Sequence, residues 1–354
     1  MIGFRVPQTL QNHMNGFHPT RPAKAGLLSL PPIFAIAAVV VASLALSTVV
    51  ALATPERWQQ EGWKTDFSRS SIDFTSIKSG GPPRDGIPPI DDPAFLPVNQ
   101  VSGLDDKEPV MSVVIDGAAR AYPLRVMIWH EIVNDTLAGR AIAVTYCPLC
   151  NAAIVFDRTV EGTETTFGTT GKLRNSDLVM YDRETDSWWQ QFTGEAITGG
   201  RTGTKLEVIP SRLEAWASFR DRHPDGEVLT PGNPGLRQYG RNPYAGYDSS
   251  RVPFLYNGPM PEGIAPLSYV VVVREGPEPI AISLDRVRRD GIITVGGVTI
   301  SWVTGVRSAL DTGTIAQGRE IGSITVTRNG EDLAHELTFA FVVSAFLPQT
   351  AILD

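Results

Sequence analysis

The chain has 354 residues, with 31 basic and 38 acidic side chains and a formal charge of -7. Three of the basic residues, Arg5, Arg21 and Lys24, fall in the first 53 positions, which hold no acid, so the rest carries 28 basic against 38 acidic groups, a charge of -10. That balance argues against a nucleic-acid partner, because phosphate binding needs a surplus of Lys and Arg, and the length suffices for a core without disulfides or metal.

In chain order, residues 1–26 read as a basic cytoplasmic N-terminal segment. Residues 27–53 read as a transmembrane anchor or a signal segment. Ile33–Val50 is free of charge, and as a helix it would span about 27 Å, the lower edge of a bilayer crossing. Ala51-Leu52-Ala53 equally fits a signal-peptidase site. Both readings place residues 54–354 beyond a bacterial inner membrane, in the periplasm or outside the cell, either tethered by a single pass or secreted.

Residues 54–107 contain Pro82, Pro83, Pro88, Pro89, Pro93 and Pro97, so an extended lead-in is expected. From 108 onward short apolar runs alternate with polar turns. A strand is expected in VMSVVIDG, a short helix over Leu124–Ile132, strands in AIAVTY and NAAIVFDR on either side of CPLC, and a helix over Arg212–Arg222. The Gly- and Tyr-rich stretch from Gly232 reads as an ordered loop whose Tyr residues could cover a cleft, which glycine and proline alone do not show. The fold expected is mainly β with short helices, an α+β arrangement remaining open.

VVIDGAARAYPL from Val113 resembles VVREGPEPIAISL from Val272, and GRAIAVTYCPLCNAAIVFD resembles GGVTISWVTGVRSALD from Gly296. This suggests a degenerate internal duplication and two β-rich halves, residues 108–260 with the cysteines and residues 261–354 without them.

Cys147 and Cys150 are the only cysteines. A CxxC pair supports thiol-disulfide exchange, metal ligation or a structural disulfide. Redox use is the main expectation, with Cys147 attacking, Cys150 resolving, His130 handling protons, and an exported protein or small disulfide as the partner. The extended look of Ala152–Phe156 argues against a thioredoxin fold. The alternative is a copper or zinc site built by Cys147, Cys150 and His130, or an interaction module with a structural cysteine pair. Glu131 and Asp135 invite comparison with a hydrolytic pair but suit solvated charges, and Tyr181, Asp182 and Arg183 suit a strand end. No P-loop, G-x-S-x-G, H-E-x-x-H or dinucleotide motif occurs, and no haem, flavin or nicotinamide site follows.

The stretch AYPLRVMIWHEIVNDTLAGRAIAVTYCPLCNAAIVFDR resembles the bacterial family of domain of unknown function 3179, and the resemblance extends through NSDLVMYDRETDSWWQQFTGEAITG and YGRNPYAGY. It implies one site containing His130, Glu131, Asn134, Asp135, Cys147 and Cys150. Some members look like selenoproteins, which implies redox chemistry without naming a substrate.

Overall fold

The computed structural model describes residues 54–276 and 278–354. Short strands dominate because valine, isoleucine and threonine recur in runs of four to eight bounded by glycine and polar turns. They form five main sheets and a small two-stranded ribbon, giving a five-bladed β-propeller with short helices. Central strands such as Tyr269–Val273 are buried at every residue, as expected where blades cover both faces of a sheet.

The first blade orders Ser211–Ala215, Pro109–Ile115, Ala118–Pro123, Glu227–Thr230 and Ala94–Pro97. The second orders Val208–Ile209, Ala152–Asp157, Arg140–Cys147 and Ile132–Leu137. The third runs Ile77–Ser79, Phe167–Arg174, Asp177–Asp182, Trp188–Gln190 and Glu195–Thr198. The remaining two are Glu336–Phe339, Tyr269–Val273, Ile280–Ser283, Ile352–Leu353 and Ile292–Val295, Val298–Val303, Ser323–Arg328, Glu331–Asp332.

The expectation of two packed β-halves is corrected. Residues 54–354, as far as they are described, fall in one compact unit, and the main apolar core draws on residues from Met111 to Val342, from both expected halves. The similarity of the two sequence stretches reflects similar wiring of neighbouring elements. Pro109–Ile115 and Ala118–Pro123 lead into the helix Leu124–His130, just as Tyr269–Val273 and Ile280–Ser283 lead into Leu284–Asp290. The first helix ends on Glu131 at φ 61° and the second on Gly291 at φ 74°. Nothing in the shorter C-terminal stretch answers to the Phe167–Thr198 blade, so the likeness does not divide the molecule.

The expected membrane or signal segment, 27–53, lies outside the described residues. Among the described residues no helix is long and apolar enough to cross a membrane, the α-helices having six or seven residues. The expectation of a single-pass inner-membrane anchor with a periplasmic domain is corrected to that extent: no described element supports it.

The Pro-rich segment lies across the blades. Trp58, Trp63 and Phe67 pack against Trp188 at ring separations of 4.8–5.2 Å. Ile77–Ser79 and Ala94–Pro97 each add an edge strand. Pro82 meets the third blade where the register slips between Thr169 and Lys172. Gly171 sits in that slip at φ 69°, and a Cβ there would lie 1.9 Å from the Pro82 carbonyl oxygen. Gly171→Ala therefore combines a left-handed backbone with a clash against main chain. We expect a loss of about 2 kcal/mol or more in urea unfolding, read as a lower midpoint at unchanged slope; an unchanged midpoint would show that the strap yields freely.

The expected helix over Arg212–Arg222 is in fact a strand, Ser211–Ala215, followed by the helix Trp216–Arg222. Hydrogen bonding to Pro109–Val113 captures its first turn as an edge strand.

Candidate metal centre

The strand Arg140–Cys147 ends where the chain must reverse, and Cys147 pairs with Ala152 across the loop Pro148–Asn151. Pro148 sets φ for the turn, Cys150 N–H donates to Cys147 O at 3.2 Å, and Asn151 closes it at φ 49°. Neighbours clamp the loop from several sides. Cys150 O accepts from Thr338 Oγ1 at 2.7 Å, Asn151 Nδ2 donates to Leu337 O at 2.7 Å, and Tyr247 Oη donates to Leu149 O at 3.1 Å.

A second hairpin turn comes in from the third blade. Asn175 and Ser176 both have positive φ, 52° and 65°, as a two-residue turn matching strand twist requires. Its tip places Ser176 O 3.5 Å from Cys150 Sγ and 3.9 Å from Cys147 Sγ. The next residue, Asp177, is fully buried. Its Oδ2 accepts from Gln190 Nε2 at 2.6 Å and Phe192 N–H at 2.9 Å, whereas its Oδ1 has no hydrogen-bond partner.

Ligand atoms of Cys147, Cys150 and Asp177 all lie within 4.8 Å of one another. A tetrahedral zinc with bonds of about 2.0–2.3 Å separates its ligand atoms by about 3.3–3.8 Å, so a contraction of about 1 Å would close the three donors on one ion. Burial pushes the Asp177 carboxyl up to about 6, opposed by the Phe192 N–H and Gln190 donors and by the thiols of Cys150 and Cys147. Burial also raises both thiols, Cys150 well above the ordinary range.

Residues 84–350 match the family described as "Protein of unknown function (DUF3179)". The chain belongs to this family. No curated protein and no solved structure matches it.

In this DUF3179 chain the main redox expectation is corrected. Both cysteines are free thiols, not a disulfide. They are at most 2 % exposed, so no exported protein could bring a disulfide to either sulfur, and their raised pKa opposes the thiolate that exchange requires.

The structure does not bring the other expected site residues to the sulfurs as ligands. His130 ends its helix with Nδ1 2.7 Å from Pro88 O and Nε2 2.8 Å from Tyr239 Oη, and burial lowers its pKa. Asn134 spans the second and third blades, its amide bonding both Phe167 N–H and Phe167 O at 2.9 Å. Asp135 is held by Arg120 at 2.8 Å and Tyr122 Oη at 2.5 Å, which corrects the reading of it as a solvated charge on the face of Glu131. Glu131 alone of this group is close enough to the centre for its electrostatics to matter: burial raises its carboxyl to about 8, with the Asp177 charge adding to the effect. Asp182 and Arg183 brace the blade, through Trp189 Nε1 at 2.8 Å and Asp91 at 2.9 Å respectively.

Asp177 was not among the residues expected from sequence. Its one local signal is Asn175-Ser176 between two β-branched runs, which marks a hairpin tip but not what that tip touches.

Proposed function

We propose that the chain is a metal-binding protein whose centre is Cys147, Cys150 and Asp177, with zinc as its ion. The observation that carries this reading is the cluster of three buried ligand groups from two blades, one of which keeps an oxygen without a partner. A buried orphan carboxylate oxygen is costly unless something completes it, and a cation does so while stabilising two thiolates that burial otherwise disfavours. Zinc suits a mixed set of two sulfurs and one oxygen, whereas copper(I) favours sulfur and thioether donors. Three protein ligands leave a fourth position for water or a ligand. Relatives that resemble selenoproteins fit the same scheme, a selenolate being a softer donor than a thiolate.

Metal analysis of the purified full-length protein tests the reading. The expected result is about one zinc per chain, lost in Cys147→Ala, Cys150→Ala and Asp177→Ala and retained in His130→Ala. After chelation, returning zinc at 100 times its dissociation constant should raise unfolding stability by about 2.7 kcal/mol. A folded protein that neither retains nor rebinds metal would sink the proposal. One copper per chain would overturn the choice of ion, and retention in Asp177→Ala would overturn the ligand set.

A further inference from the structure

Beside the cysteine turn lies a cavity of about 480 Å³, within the range of small-molecule sites. Leu149, between the two cysteines, and Leu178, next to Asp177, form part of its wall, and Tyr244, Tyr247 and Phe254 line it as well. The polar side chains in the wall are mostly engaged elsewhere. Thr169 Oγ1 donates to Ile87 O, Lys172 Nζ to Glu61, and Tyr247 Oη to Leu149 O.

Glu131 differs. It lines the cavity, is buried at 7 % exposure, and among the described residues no hydrogen bond to its carboxyl contributes to its electrostatics. Its backbone is also unusual. Glu131 holds φ 61° at a helix end where the similarly wired helix uses Gly291. Glycine is the usual residue there, and a side chain costs of order 1 kcal/mol. Strain, burial and a missing partner together indicate that this carboxyl is kept for something that enters the cavity.

We propose that the cavity binds a small aromatic molecule whose one polar head is a neutral hydroxyl, received by Glu131. The aromatic and leucine side chains supply flat apolar walls, and the single carboxyl supplies both a donor and an acceptor when protonated. Burial keeps it protonated to about pH 8, which matches a hydroxyl and disfavours an ammonium head.

The test uses the full-length protein as purified, its metal content measured, at pH 7, titrated with phenol, anisole, toluene and benzylamine and read by calorimetry. Phenol should bind once per chain. Anisole and toluene, which cannot donate a hydrogen bond, should bind at least tenfold more weakly, and benzylamine weaker still. Glu131→Gly, whose backbone suits the left-handed position, should reduce phenol to the affinity of toluene.

The proposal is overturned if phenol binds no better than toluene to the native chain, if benzylamine binds best, if nothing binds, or if the preference for phenol survives in Glu131→Gly. Since the readout needs no metal, its failure is separate from failure of the zinc reading.

Discussion

Glu131→Gln is expected to flatten the dependence of stability on pH, with the largest gain over the native protein at alkaline pH. In the folded chain the Glu131 carboxyl holds its proton to about pH 8, whereas the ordinary value is 4.5. The folded state therefore binds the proton more tightly, so this contribution is fully present below about pH 4.5 and is lost as pH rises through 8. The full extent is about 5 kcal/mol, from the free energy per pKa unit. Glutamine has nearly the same shape and no proton to lose. Urea unfolding of the metal-free protein from pH 5 to 9 should show the native protein weakening by several kcal/mol relative to Glu131→Gln. Asp177, raised to about 6, leaves a smaller decline of the same sign in both proteins. Parallel profiles would mean that the carboxyl is solvated.

Trp188→Ala should cost about 3–5 kcal/mol, the range for removing a large buried aromatic. Trp188 is fully buried and stands within 4.8–5.2 Å of Trp58, Trp63 and Phe67. Its Nε1 has no partner, so the loss is one of packing and not of a hydrogen bond. These three aromatics anchor the lead-in on the third blade, so the variant should also be cut faster by protease within residues 54–76. Trp188→Phe should recover much of the stability. A stability loss without faster cleavage would show that other contacts hold the strap.

Much of the local structure was legible in the chain. The strands on either side of the cysteines and the short helix before Glu131 each follow from β-branched runs and glycine turns. The blade count was not legible, since a repeated pattern of hairpin, helix and hairpin does not say how many sheets share one core. Asp177 could not be found from spacing, because it reaches the thiols through a turn in another blade. His130 misled for the opposite reason: near in sequence to the candidate residues, it is taken by Pro88 and Tyr239. The disulfide expectation failed because sequence spacing allows a bond but does not reveal whether the sulfurs are unbonded and enclosed.

The clamp on the cysteine turn also sets an order in time. Thr338 and Leu337 secure Cys150 and Asn151 across more than 180 residues, and the chain emerges from synthesis N-terminus first. Cys147, Cys150 and Asp177 therefore exist for more than half of the described chain's synthesis before Leu337 and Thr338, two of the residues that fasten their turn, are made. A nascent chain that stops short of Glu336 holds all three ligand groups and the Tyr247 bond to Leu149 but not the clasps on Cys150 and Asn151, so the last fastenings of the turn close only when the blade that carries Glu336–Phe339 is in place.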